Sequence, residues 1–244
     1  MKKLFTIIMT MFAALMVGTS CNDDYKTTLS AIVTIIDGNS SVPYTIRFGD
    51  GKSAYVTNTS KFNFSFPIEL DGEQRAIIYY QIEDEVKVGY DYVITLVDAG
   101  TVSTTTVKTL AEVAETVAKS EHKVSIDDAS LTDNKYITLV LSFMGNNPEL
   151  NKHKFSLVYN NDLEKNGAFK GSYPKTEDDY LWLELYHDKG TDTEYTRYYN
   201  HYCFKIAPKN LGVKELMEYK GIKILHKPIS NVEQTDIYTI SFKK

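Results

Sequence analysis

Two cysteines and five histidines are the residues of this sequence best suited to nucleophilic chemistry. Cys203 follows His201 by two places in a segment typical of a strand, so both side chains fall on one face. A catalytic thiol needs an activating environment, and the sequence has no Gly-x-Ser-x-Gly elbow to support a serine nucleophile instead. We therefore interpret Cys203 as a small buried hydrophobe and predict no catalytic residues.

Three acidic runs, Glu83–Glu85, Asp127–Asp128 and Glu177–Asp179, supply paired carboxylates. Hydrolysis of a glycan needs two carboxyl groups about 5–10 Å apart across a cleft. The runs stand at predicted strand ends, where solvated charge is the simpler interpretation. The segment Asp188–Glu194 carries oxygen ligands at alternate positions, but it lacks the EF-hand spacing and a turn explains the same residues. The sequence therefore predicts no metal and no cofactor.

An aromatic row lies on one predicted strand, opposite three leucines (Leu181, Leu183 and Leu185). Its members are Tyr180, Trp182, Glu184 and Tyr186. If the leucines enter the core, the row faces outward and could bind a protein or a glycan. The next predicted strand offers an extension in Tyr195, Arg197, Tyr199 and His201. The interpretation that we favour is that another strand, loop or domain covers the row, because aromatic side chains commonly fill sheets.

Composition excludes several classes of protein. The 244 residues are 43% hydrophobic and 24% charged, as in ordinary globular proteins, which allows one large domain or two small ones. Lys and Arg total 27 against 32 Asp and Glu, so the chain lacks the basic excess that holds a phosphate backbone. We therefore expect no nucleic-acid partner. The 18 tyrosines favour strands over helices.

The N-terminus has the pattern of a secretory signal. Met1–Lys3 is positively charged, and the following Leu4–Val17 is almost wholly apolar. Fourteen helical residues reach about 21 Å, which is short of the roughly 30 Å hydrocarbon core. Small residues, Gly18–Ser20, then precede Cys21. We predict a signal peptide at residues 1–20, followed by a tether at 21–28.

This segment resembles a bacterial lipoprotein signal, in which the cysteine is acylated and becomes the new N-terminus. Asn22–Asp24 resembles the acidic surface-export signal of Bacteroidota lipoproteins. The resemblance implies lipidation at Cys21 and anchoring in the outer membrane, at the cell surface or alternatively on the periplasmic face. Several acyl chains would make the anchoring stable. The alternative is simple cleavage that leaves Cys21 as a thiol.

Two β-rich regions flank one helix in the pattern of apolar residues. Strand-like alternation from residue 29, with a hairpin signal at Asp50-Gly51, predicts a small closed barrel over 29–106. Helical spacing follows the capping pair Thr109 and Glu112, and it predicts a connecting helix within 107–121. Alternation then returns over 122–244 and predicts a β-sandwich. The fold class is all-β.

The whole arrangement resembles the NigD-like family of Bacteroidota lipoproteins. The segments that carry the resemblance are Asp37-Gly38, Asp50-Gly51, Arg75–Tyr80, Gly89–Tyr92, Val124–Asp128 and Tyr180–His187. It implies an N-terminal barrel of the oligonucleotide/oligosaccharide-binding (OB) type and a C-terminal sandwich. It also implies a bacteriocin-immunity role by analogy, and it supplies no catalytic or binding residues.

Three functions are therefore expected in order of preference. The first is a non-enzymatic, lipid-anchored envelope protein that binds a protein or glycan. The second is an immunity-like protein, and the third is a glycan-processing enzyme.

Overall fold

The computed structural model describes residues 26–38, 42–117, 123–146, 152–161, 169, 179–193, 196–230 and 235–242. The chain forms two compact units, the first ending at Thr101 and the second beginning at Val102, except that Ile68–Asp71 belongs to the second. The predicted signal peptide and Cys21 lie outside the described residues. No helix in the described part of the chain has the length and apolar character needed to cross a membrane.

The first unit is a closed five-stranded barrel. Its strands are β1 (Leu29–Asp37), β2 (Tyr44–Arg47), β3 (Ser53–Val56), β4 (Glu73–Ile82) and β5 (Tyr92–Thr101). Their order around the barrel is β1-β2-β3-β5-β4, and β1 closes it by pairing with both β2 and β4. This is the Greek-key arrangement of an OB-type barrel, so the predicted architecture is confirmed.

Alternation of apolar residues produces the barrel because every second side chain points inward. Val33 and Ile35 on β1 are fully buried, as are Ile46, Ala76 and Ile78 on the neighbouring strands. The turn between β2 and β3 uses Gly51 at φ 86°, a conformation that favours glycine. The Asp50-Gly51 hairpin signal therefore corresponds to a real turn.

The second unit begins with a segment that joins two sheets. Strand β6 (Ser103–Thr106) lies at the edge of one sheet, and β7 (Lys108–Thr109) lies at the edge of the other. Between them, Val107 is buried in the sandwich core. The predicted barrel region 29–106 therefore extends too far, because β6 belongs to the sandwich.

The remaining strands complete a sandwich of two sheets. They are β8 (Ser125–Thr132), β9 (Tyr136–Gly145), β10 (Lys154–Tyr159), β11 (Tyr180–Asp188), β12 (Thr196–Lys205), β13 (Gly221–His226) and β14 (Asp236–Ser241). The four-stranded sheet has the order β6-β12-β9-β8, and the five-stranded sheet has the order β14-β13-β11-β10-β7. Leucine, isoleucine and aromatic side chains from both inner faces form the core between them.

Helix α1 (Leu110–Val117) begins where the sequence predicts. The carboxylate of Glu112 accepts the backbone N–H of Thr109 at 2.7 Å and the Thr109 hydroxyl at 2.8 Å. These hydrogen bonds hold the pKa of Glu112 below its usual value. Leu110, Val113 and Val117 pack against the five-stranded sheet, so the helix is part of the second unit instead of a linker.

A short helix, α2 (Pro208–Leu211), ends at Gly212 in the left-handed conformation. Pro208 starts the helix because its missing N–H is not needed in the first turn, and Gly212 stops it.

Candidate functional site

The predicted aromatic row does not lie on an exposed surface. Trp182 is 7% exposed, Tyr186 is 2% exposed and Glu184 is fully buried. Tyr180, at the start of β11, is half-buried. Other elements therefore cover the row, as the favoured interpretation of the sequence expected, and the outward-facing binding row is corrected.

Helix α1 and Phe169 provide the cover. Trp182 and Tyr186 share a buried cluster with Val117 and Phe169, and the Phe169 ring meets Tyr186 edge-on at 5.5 Å. Leu181, Leu183 and Leu185 enter the main core on the other face of β11, as predicted. Strand β11 is thus buried on both faces, which explains why it alternates between two kinds of large side chain.

Polar groups in the row are satisfied inside the protein. Asn160 donates to Glu184 Oε1 at 3.0 Å, and the Tyr186 hydroxyl donates to Glu184 Oε2. Lys223, opposite Trp182 on β13, lies 5.1 Å from the Trp182 ring and 4.6 Å from the Tyr180 ring. Each contact stabilises the packed sheet, because a buried carboxylate or a desolvated ammonium needs such partners.

The predicted extension of the row lies in the other sheet. Strand β12 pairs with β9 and β6, so Arg197, Tyr199 and His201 face outward from the four-stranded sheet. Tyr195 lies outside the described residues. The extension therefore forms a separate surface, here called the Arg197 face and defined by Arg197, Tyr199, His201, Asp127 and Asp128.

The Arg197 face holds an exposed tyrosine against a guanidinium. Tyr199 is 61% exposed, and the Arg197 guanidinium carbon lies 5.1 Å from its ring centroid. Arg197 Nη2 donates to Ser142 Oγ at 2.8 Å and lies 3.5 Å from Asp127 Oδ1. These contacts restrict the guanidinium and order the surface before any partner arrives.

His201 and Cys203 share a face of β12 without forming a catalytic pair. Cys203 is fully buried, and its sulfur lies 3.2 Å from Thr138 Oγ1. Burial lowers the pKa of His201, and Asp128 partly opposes that change. The spacing of two residues reflects the pleat of the strand.

The acidic runs are distributed over separate places. Glu83–Glu85 follows β4, whereas Asp127–Asp128 lies within β8 at a bulge and not at a strand end. Asp179 pairs with Lys220, and the other two members of its run lie outside the described residues. Within the described residues, no three His, Cys, Asp or Glu side chains form a metal-ligand cluster.

The segment Asp188–Glu194 contains one buried carboxylate that sequence reasoning missed. Asp188 Oδ1 accepts the Gly190 N–H at 2.8 Å, as a turn requires. Asp192 is 4% exposed and its Oδ2 accepts the backbone N–H of Asn146 at 2.7 Å. The same oxygen lies 2.7 Å from Nε2 of His153. Residues 188–193 thus form a turn that places the Asp192 carboxylate inside the protein.

Two histidines join this carboxylate in a chain. His153 Nδ1 lies 2.8 Å from His187 Nε2, and His187 Nδ1 lies 2.9 Å from the Lys123 carbonyl oxygen. His153 precedes β10 and His187 lies in β11, which pair antiparallel. His153 stands between Lys152 and Lys154, and Asp188 follows His187, so their immediate neighbours in the sequence gave no signal of burial.

A small OB-type barrel followed by a two-sheet sandwich defines a two-domain, all-β class of protein. A family model described as the NigD-like C-terminal beta sandwich domain matches residues 106–241. This match covers more than half of the sequence, and the chain belongs to the NigD-like family. The resemblance on which the sequence prediction rested is therefore confirmed.

Solved structures with the same fold come from related bacteria. A candidate lipoprotein from Bacteroides fragilis is 17% identical, with a TM-score of 0.64 and coverage of 89% of this chain and 98% of the other. A NigD-like immunity protein from Bacteroides caccae is 16% identical, with a TM-score of 0.59 and coverage of 86% and 90%. A candidate toxin-related protein from Parabacteroides distasonis is 17% identical, with a TM-score of 0.61 and coverage of 88% and 93%. No curated protein matches the sequence.

Proposed function

We propose that this chain is a non-enzymatic, lipid-anchored protein of the outer membrane that binds a protein partner through the Arg197 face. The observation that carries the proposal is the exposed Tyr199 ring beside a guanidinium already restrained by Ser142 and Asp127. Tyrosine and arginine are the residue types that most often dominate binding at protein interfaces. Their side chains here are ordered, so less conformational entropy is lost on binding.

A protein suits this surface better than a glycan does. The side chains lie on the face of a sheet and carry both signs of charge, with Arg197 beside Asp127 and His201 near Asp128. Mixed charge gives a protein partner a pattern to complement, whereas a neutral sugar gains little from it.

Binding measurements on three variants test the proposed surface. Tyr199→Ala and Arg197→Ala are compared with Tyr79→Ala, which removes a tyrosine that is 46% exposed on the barrel. The probes are secreted proteins of related strains, purified individually and titrated against the immobilised mature chain. A partner whose Kd rises more than about tenfold for the first two variants alone supports the proposal. Equal binding by all variants, or binding of purified host polysaccharide in its place, contradicts it.

The lipid anchor at Cys21 rests on the signal-like pattern of residues 1–21 and is supported by the candidate lipoprotein among the structural neighbours. Growth with an alkynyl fatty acid should label the wild-type chain and leave Cys21→Ala unlabelled. Protease treatment of whole cells then distinguishes the cell surface from the periplasmic face. A wild-type chain that still begins at Met1, or that carries no fatty acid, contradicts the anchor.

An immunity-like role is the second candidate. Two of the structural neighbours are described as an immunity protein and a candidate toxin-related protein, and these descriptions favour a partner of the same kind. Deletion of the gene should sensitise the native host to an antibacterial protein from a related strain. Unchanged sensitivity to a panel of such proteins contradicts this role and leaves the binding proposal to its own test.

A further inference from the structure

Three side chains form a buried chain at one end of the sandwich. His153 is 6% exposed, His187 is 1% exposed and Asp192 is 4% exposed. The contacts run from Asp192 Oδ2 to His153 at 2.7 Å, from His153 to His187 at 2.8 Å, and from His187 to the Lys123 carbonyl at 2.9 Å. All three distances lie in the range of real hydrogen bonds.

The groups at both ends of this hydrogen-bonded series, the Lys123 carbonyl and the Asp192 carboxylate, are hydrogen-bond acceptors. The Lys123 carbonyl oxygen only accepts, so the contact at 2.9 Å requires a proton on His187 Nδ1. At the other end, Asp192 Oδ2 already accepts the N–H of Asn146, as a carboxylate oxygen does. The ordinary pKa of an aspartic acid side chain, about 3.9, is lower than that of imidazole, about 6.5, so the proton of the 2.7 Å contact is assigned to His153 Nε2.

The proton count then exceeds what two neutral rings carry. A neutral imidazole has one N–H, so two rings supply two protons. The contacts with Asp192 and with Lys123 use both of these protons. The contact between His153 Nδ1 and His187 Nε2 therefore needs a third proton. Without it, two lone pairs would face each other at 2.8 Å inside the protein.

We propose that His153 and His187 share one imidazolium charge, which the Asp192 carboxylate neutralises. The hydrogen bonds from Asp192 to Lys123 then form a latch, which here means a connection that is complete only while the third proton is bound. The latch connects five places in the sandwich: Lys123 before β8, Asn146 after β9, His153 before β10, His187 in β11 and Asp192 in the following turn. Loss of the third proton weakens the connection among all of them. The inference does not depend on the proposed partner.

The surroundings are consistent with a compensated charge. The His187 ring stacks on Phe155 at 4.5 Å, and the His153 ring lies 4.8 Å from that of Phe143, so aromatic faces flank the pair. On the elements packed around the pair, the described titratable side chains include Asp188, Lys189 and Asp192 by β11, Lys152 and Lys154 by β10, Lys123 by β8, Tyr198 and Tyr202 on β12, and His226 on β13.

Of these groups, Asp192 is the one whose charged atoms contact a ring nitrogen of the pair. Burial raises the pKa of Tyr202 to about 12, so this neighbour stays neutral throughout the range considered below. Since Asp192 and His153 have fully buried side chains, water screens their attraction only weakly.

The latch predicts a characteristic pH dependence of unfolding. Above about pH 7.5 the unfolded chain keeps close to two protons on these groups, because free imidazole has a pKa of about 6.5, whereas the folded chain keeps three. The unfolding equilibrium constant should therefore rise nearly tenfold per pH unit between about pH 7.5 and pH 8.5. Two neutral rings beside a carboxylate would hold two protons in both states and give no slope in that range.

Nitrogen NMR of the full mature chain, labelled at histidine, measures the proton count directly. At pH 7.5 we expect one ring, or one averaged pair, with both nitrogens protonated, and this signal should be absent in Asp192→Asn. His201→Gln alters a half-buried histidine that does not belong to the latch, so this variant should retain the signal. The wild-type spectrum alone keeps the proposal testable if Asp192→Asn fails to fold. Neutral spectra for every histidine at pH 7.5, with no unfolding slope between about pH 7.5 and pH 8.5, would overturn the latch.

Discussion

The Thr138 hydroxyl and the Cys203 thiol face each other across the β9–β12 pair, with 3.2 Å between Oγ1 and Sγ. Both residues are buried, Thr138 at 4% exposure and Cys203 at zero. The thiol therefore has a polar neighbour and no route to solvent in the folded chain. This arrangement explains how a cysteine on an outward-facing strand position remains shielded.

Cys203 should be unreactive until the chain unfolds. Reactivity requires an accessible thiolate, and a buried thiol supplies neither access nor charge stabilisation. In a mature chain carrying Cys21→Ser, Ellman's reagent should modify Cys203 only in denaturant, at a rate that follows unfolding. Fast modification in buffer would contradict the buried placement.

Trp182→Ala should destabilise the fold without acting through a binding surface. Truncating a buried tryptophan leaves a cavity beneath α1 and costs about 3–5 kcal/mol in free energy of unfolding. Urea denaturation measures this loss. Tyr199→Ala is the control, because an exposed site of this kind changes stability by about 0.5 kcal/mol or less. Similar losses for both variants would refute the difference in burial.

His226 should make the fold sensitive to mild acid. Burial lowers the pKa of His226, against weaker opposite effects from the Val124 carbonyl and from Asp236 and Asp127. Below about pH 6.5 the unfolded chain takes up a proton that the folded chain resists, so the free energy of unfolding falls as pH falls. His226→Gln should reduce this fall, by at most about 1.4 kcal/mol per pH unit, in denaturation measured between pH 7 and pH 5. Parallel curves for the two proteins would show that His226 does not contribute.

Gly212→Ala should cost about 1 kcal/mol, because Gly212 has φ 68° and ends α2 in the left-handed conformation. No atom lies within 4 Å of an added Cβ there, so the cost is conformational and not steric. Gly100→Ala on β5 is a matched control, since it also has open space and has no positive φ. Thermal unfolding should show a loss for the first variant and little change or a gain for the second. An equal effect at both sites would contradict the conformational explanation.

Strand alternation allowed most of the fold to be predicted from the sequence. The inward positions of Val33, Ile35 and the three leucines of β11 follow from a period of two. Strand β6 escaped prediction because Ser103–Thr106 has no apolar alternation to distinguish it. The sequence favoured a covered Trp182 but not the element that covers it, since the apolar face of α1 shows that the helix packs but not what it packs against.

The candidate sites depended on long-range topology. Tyr199 was expected beside Trp182 because β12 follows β11 in the chain, but consecutive strands of a sandwich can belong to different sheets. His153 and His187 are 34 residues apart, and their antiparallel strands bring them together. A pattern within either strand contains no information about that pairing.

The segment from Ser103 to Thr109 also affects whether the sheet edges of one molecule can pair with those of another. On this side of the sandwich, each sheet ends in a very short strand, four residues in β6 and two in β7. Such short edges offer too few free backbone groups to recruit another chain. If the proposed lipid anchor holds the protein in the plane of a membrane, copies would meet frequently, and these short edges would oppose their growth into fibrils.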